Sequence, residues 1–183
     1  MVTGQGGMLV TDDKTLYDRA VSLIEHGREP EHGIFYSGKT GYNYKMPALC
    51  AAMGSSQLHR LDEIIAIKHN QQRIYEERFA KHSDLQMICA KPDMFCNYAY
   101  PSLMLETDVM TRDAFFEAIR ARNIDSRPTF PRQSSMPTFM DADTPVSAHV
   151  EANGWNLPTA AYLTDDDLHY ICDVVEEVLD NAS

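Results

Sequence analysis

Thr3 to Asp13 reads TGQGGMLVTDD. Its glycines make a tight turn, Met8, Leu9 and Val10 lead into Thr11, and two aspartates follow. A short apolar run bounded by turn residues predicts a buried strand over Met8 to Thr11, and acids immediately after it favour the start of a helix. A lone strand buries badly, because a sheet needs partners. The following residues offer none. Leu16, Ala20, Leu23 and Ile24 share one helical face that closes at His26 and Gly27. Arg28 to Tyr44 is a long aperiodic loop, and Pro47 opens a helical stretch that runs to about Ala80, with a break predicted near Asp62. The strand is therefore expected to pair with a sheet contributed from upstream.

After Ser83 the texture changes. Leu85 to Cys89 and Tyr98 to Leu105 read as strands, and Thr111 to Arg122 as an amphipathic helix with Phe115, Phe116 and Ile119 inward. Asn123 suits the left-handed conformation that ends such a helix. Ser126 to Pro145 holds four prolines and almost no period, so it reads as a second long loop, followed by a short helix near Ala148. The last helix is the clearest element. Thr164 with Asp167 makes a capping box, and Leu168, Ile171, Val174, Val175, Val178 and Leu179 form its buried stripe. Strand, strand, helix, strand-like turn and helix can close as a small α/β domain.

The chain of 183 residues is 44% hydrophobic and 23% charged, enough apolar content for a real core. Sixteen basic residues against 27 acidic ones give a net charge of −11, which argues against nucleic acid as a partner. Cys50, Cys89, Cys96 and Cys172 form no CxxC pair, so reduced thiols in a cytoplasmic protein are expected. The N-terminus has no basic stretch followed by an apolar one, and no window is long and apolar enough for a membrane span. Seven histidines show no metal-ligand spacing, so no metal is assigned.

Six segments in order resemble one family: TGQGGMLVTDD (Thr3 to Asp13), EHG (Glu25 to Gly27), GYNYKM (Gly41 to Met46), AAMGSSQLHRLDEII (Ala51 to Ile65), RDAFFEAIRARNIDSRP (Arg112 to Pro128) and NLPTAAYLTDDDL (Asn156 to Leu168). By these the chain is similar to the DegT/DnrJ/EryC1/StrS sugar aminotransferases, and most similar to their perosamine synthase branch. The resemblance implies an α/β fold of the pyridoxal-phosphate-dependent transferase, aspartate aminotransferase type, in truncated form. Residues 1–83 would be the end of the large cofactor-binding domain with linking helices, and residues 84–183 the small C-terminal α/β domain.

The resemblance also implies pyridoxal 5'-phosphate as cofactor, a nucleotide-linked 4-keto-6-deoxy sugar as substrate, glutamate as amino donor, and a homodimer with the active site between subunits. In the family the cofactor-binding lysine precedes the glycine turn; here no lysine does, and Lys14 lies beyond it. The chain alone is therefore expected to be inactive. Asn43 and Lys45, in the loop that reaches the cofactor phosphate of the other subunit, are the cofactor-binding candidates, with the backbone at Gly4. Arg127, held extended by the following proline, offers a fork for a diphosphate or sugar, and His26 and His32 are the other substrate-binding candidates. Two other readings stand beside this one: a noncatalytic binding or dimerisation module, and a dehydratase of the same fold.

Overall fold

In the computed structural model, which describes residues 1–182, Asp13 accepts hydrogen bonds from the backbone N–H groups of Thr15 (2.8 Å) and Leu16 (3.1 Å). This N-cap satisfies two donors of the first turn and starts α1, Lys14–Ile24. The helix stops where the backbone turns left-handed at His26 (φ 66°) and Gly27 (φ 67°). Two further helices follow, α2 over Ala48–Leu58 and α3 over Leu61–Phe79. The interruption falls at His59 and Arg60, just before the predicted place.

The strand expected over Met8 to Thr11 is not formed. Met8, Leu9 and Val10 are 88%, 59% and 85% exposed, and no strand among the described residues pairs with them. The apolar run has the composition of a buried strand without the partner that would bury it.

Residues Met1–Leu61 and Asp62–Ser183 make up two compact units. The sequence texture changes at residue 83, but packing divides the chain at residue 61, because Ile74, Tyr75 and Phe79 of α3 are buried in the core of the second unit.

That second unit is built on an antiparallel sheet. Its strands are β1 (Leu85–Met87), β2 (Ser102–Leu105), β3 (Arg127–Pro128) and β4 (Gly154–Asn156), in the order β1-β2-β4-β3. The register sets Leu85 opposite Leu105, Leu103 opposite Trp155, and Arg127 opposite Asn156. The extended run from Tyr98 yields a strand only from Ser102, since Tyr98 is left-handed (φ 44°) and Pro101 has no N–H to donate. Helices α4 (Arg112–Arg120), α5 (Pro145–Asn153) and α6 (Asp165–Asp180) complete the unit.

Leu103, Leu105, Trp155, Phe115 and Ile119 meet the stripe of α6 in one core. Trp155 packs edge-on against Phe115, ring centroids 5.2 Å apart. Phe116, expected inward, is only half-buried, because the helical period that buries Phe115 and Ile119 turns it aside. The capping box forms as read: Thr164 N–H donates to Asp167 Oδ2 (2.8 Å) and Asp167 N–H to Thr164 Oγ1 (3.2 Å). Among the described residues, no helix is long and apolar enough to cross a membrane.

Candidate functional site

In the first unit the segment GYNYKM is tied to the end of α1 through the backbone. Tyr42 N–H donates to Leu23 O (2.6 Å), His26 N–H to Tyr42 O (3.1 Å), and Tyr44 N–H to Ile24 O (3.2 Å). Glu25 and Asn43 face each other in an antiparallel bridge. The approach requires glycine on both sides. A Cβ on Gly41 would stand 2.0 Å from Gly27 N, and one on Gly27 2.0 Å from Lys39 O.

An extended segment alternates its side chains, so Asn43 and Lys45 share one side and Tyr42 and Tyr44 the other. The two tyrosine rings stack at 4.9 Å, 7° from parallel. Asn43 is exposed, and its amide has no hydrogen-bond partner among the described residues. Lys45 is ion-paired with Glu25. The hydrogen bond and charge of Lys45 hold the Glu25 carboxyl below its usual range.

The glycine turn lies close to this segment. Val2 N–H donates to Gln57 Oε1 (2.8 Å), while Gln57 Nε2 donates to Val2 O (2.6 Å), fastening the turn to α2. Gly6 lies against the Met46 thioether, at the end of GYNYKM. Gly4, left-handed at φ 80°, has open space where a side chain would stand. A free amide, an ammonium and an unobstructed glycine turn on neighbouring backbone form a donor set that fits a phosphate group. Lys45 would have to exchange part of its interaction with Glu25 for the ligand.

His26 is joined to this segment by its backbone, and its ring is exposed. His32 stands apart, in a single 3-10 turn (Pro30–His32), its ring 5.1 Å from that of Tyr36. His32, Glu29 and Glu31 bring potential metal-ligand atoms within 4.8 Å of one another. Glu29 is also ion-paired to Lys39 at 3.3 Å, and so exposed a group assigns no metal.

Arg127 belongs to the second unit, where it lines a cleft of about 620 Å³ between the end of β4, the loop after it and the start of α6. The sequence reading missed what supports this cleft. Lys68, Gln71 and Tyr75 of α3 hold the loop that follows β4: Lys68 Nζ donates to Thr159 Oγ1 (2.8 Å), Gln71 Nε2 to Ala160 O (2.8 Å), Thr159 Oγ1 to Gln71 Oε1 (3.0 Å), and Tyr75 Oη to Pro158 O (2.8 Å). Burial lowers the Lys68 ammonium pKa below its usual range. The available signal was Gln71 itself, set in the apolar stripe Ile64, Ile67, Ile74 and only 1% exposed. A polar residue in a buried stripe implies a partner across the interface.

The chain thus has a small antiparallel α/β unit and a helical unit that exposes a glycine turn. The pattern of the DegT/DnrJ/EryC1/StrS aminotransferase family matches residues 1–176, and the chain belongs to that family. The cofactor of the family is pyridoxal 5'-phosphate. The chain is 31% identical over 179 residues to GDP-perosamine synthase of Escherichia coli O157:H7, covering 97% of the chain and 48% of that enzyme. It is 30% identical to GDP-perosamine synthase of Caulobacter vibrioides, covering 98% and 49%. Among solved structures, the aminotransferase TlmJ of Streptoalloteichus hindustanus superposes with a TM-score of 0.90 at 22% identity, covering all of the chain and 50% of TlmJ. The sugar aminotransferase CalS13 of Micromonospora echinospora gives 0.79 at 22%, covering 96% and 48%. The chain thus spans about half the length of the relatives it matches.

Proposed function

We propose that the chain forms part of an aminotransferase that moves an amino group from glutamate to a nucleotide-linked 4-keto-6-deoxy sugar, as in polysaccharide or O-antigen synthesis. The observation that carries this reading is the likeness to two GDP-perosamine synthases across nearly the whole chain. The whole enzyme acts as a cytoplasmic homodimer. Its residues 1–83 are the end of the large domain with linking helices, of which α3 packs into the core of the second unit, and 84–183 the small domain.

Bound pyridoxal phosphate supplies the electron sink and carries the amino group. In this chain Asn43 donates an amide hydrogen bond to the cofactor phosphate, Lys45 adds a positive charge, and the backbone at Gly4 lies alongside. Backbone bonds to the end of α1 fix the segment that carries both side chains, so little backbone freedom is lost when the phosphate binds. His26, His32 and Arg127 are assigned to the substrate. No residue of this chain takes the role of the cofactor-binding lysine, so the 183 residues alone are catalytically silent.

Reading the genomic sequence upstream of the Met1 codon tests the assignment. A lysine codon shortly before the glycine turn, and formation of an amino sugar from a GDP-4-keto-6-deoxyhexose, glutamate and pyridoxal phosphate by the longer protein, are expected. Histidine in that place would mean a dehydratase. A stop codon with no upstream half would mean a noncatalytic module.

A further inference from the structure

We propose that Glu25 is a specificity-determining residue of the GYNYKM segment: its carboxylate occupies Lys45 until a doubly charged phosphate displaces it, so singly charged anions are refused. The inference rests on the proposed function in taking Asn43 and Lys45 as ligands of a phosphate group, and concerns what decides which anion they accept.

Glu25 caps the C-terminal end of α1 and stands opposite Asn43 in the antiparallel bridge. Lys45, two residues beyond Asn43, reaches back diagonally to ion-pair with it. Residues diagonal across such a bridge are about 7–8 Å apart, within the span of a lysine and a glutamate. One bridge therefore gathers a free donor in the Asn43 amide, a cation in Lys45, and an anion that already holds that cation. The Lys45 side chain is exposed, so a dissolved ion can reach it and its stem can swing. The other charges acting on Glu25 are Arg28 and His26, and neither forms an ion pair with it among the described residues. Arg28 lies instead over the Phe35 ring, 5.8 Å from its centroid.

The ion pair is not what fastens the segment. Backbone bonds of His26, Tyr42 and Tyr44 do that, and Gly27 and Gly41 permit the close approach. Glu25 thus acts on the ligand through its charge. An anion that takes Lys45 must displace a tethered carboxylate, present at high effective concentration, and then bear its repulsion. A free carboxylate offers Lys45 only the group that Glu25 already supplies. A phosphate dianion brings about twice the charge and three acceptor oxygens, so it can engage Lys45 and the Asn43 amide together.

The test titrates inorganic phosphate, with acetate as comparison, into the isotope-labelled full chain at about pH 8, where phosphate is close to a dianion. The Asn43 side-chain amide is followed by NMR. The native chain should respond to phosphate and not to acetate at the same concentration. Glu25→Gln, which removes the charge and keeps the shape, should bind phosphate about fivefold more tightly and admit acetate. Adding Lys45→Met should abolish both gains, because they act through the freed ammonium. Glu25→Asp, which keeps the charge, should still exclude acetate. Phosphate affinity unchanged or weakened in Glu25→Gln, acetate binding in the native chain, or displaced backbone amide signals of Tyr42 and Tyr44 in free Glu25→Gln overturns the assignment to Glu25 alone. Failure of the phosphate-site reading looks different: phosphate leaves the Asn43 amide unmoved in the native chain and in Glu25→Gln alike, which overturns both.

Discussion

Replacing Gln71 by leucine removes the polar contacts of a buried side chain while nearly keeping its volume. In the native unit Gln71 donates to Ala160 O at 2.8 Å and accepts from Thr159 Oγ1 at 3.0 Å and, more weakly, from Lys68 Nζ at 3.4 Å. Leucine would leave the Ala160 carbonyl with only the longer bond from Leu163 N–H (3.2 Å) and the Thr159 hydroxyl without its acceptor. The hydrogen bonds lost with Gln71, together with the half-buried Thr159 hydroxyl left unpaired, should cost the unit about 3 kcal/mol. Unfolding entropy of about 2.1 cal/mol/K per residue, over the roughly 120 residues of Asp62–Ser183, gives about 0.25 kcal/mol/K. The melting temperature should therefore fall by about 12 °C. Trp155 is the single tryptophan of the chain and is 1% exposed, so its fluorescence reports melting of this unit directly. Gln71→Asn, which keeps the amide but shortens its reach, should not restore the contacts. A fall of less than about 3 °C in Gln71→Leu would refute the claim that these bonds hold the cleft wall.

Three further outcomes follow from the same physics. Burial pushes the Glu176 carboxyl up, but the hydrogen bond and charge of Arg78, with His82, outweigh it and leave it lowered. Its stabilisation is thus present above the unfolded carboxyl pKa of about 4.3 and is lost as pH falls through the folded value. Arg78→Met should shrink the difference in melting temperature between about pH 6 and about pH 3, and an unchanged difference would count against the pairing. Thr164→Ala removes the cap of α6 and should lower stability by about 1 kcal/mol, with Thr164→Ser restoring most of it in urea denaturation; equal losses for both would contradict the capping role. In the first unit, a Cβ at Gly41 would meet backbone atoms of His26 and Gly27, which cannot rotate away. Gly41→Ala should detach GYNYKM from α1, seen as faster amide exchange at Tyr42 and Tyr44; unaltered exchange would show that the approach is not tight.

Local grammar was legible wherever short-range interactions decide. Asp13 and Thr164 cap helices because their oxygens reach backbone donors two or three residues on, and Asn123 ends α4 with φ 62°, as its residue type favours. The stripe of α6 was equally plain, since helical period alone brings its apolar residues onto one face. The resemblance of six segments likewise gave the family, and with it the cofactor, before any coordinate was needed.

What the tertiary structure decided depends on partners distant in sequence. Met8 to Val10 has the composition of a strand and stays unpaired, because pairing is a property of two segments and not of one. Nothing in the texture at residue 83 shows that α3 packs into the later core; burial of Tyr75 and Phe79 does. Asn43 and Lys45 were nameable from the motif, but only the backbone bonds to Leu23, Ile24 and His26 show the segment that carries them fastened to the end of α1. The cleft beside Arg127 was invisible for the same reason. Its wall is held by bonds spanning 83 to 91 residues of chain, and only folding brings such groups together.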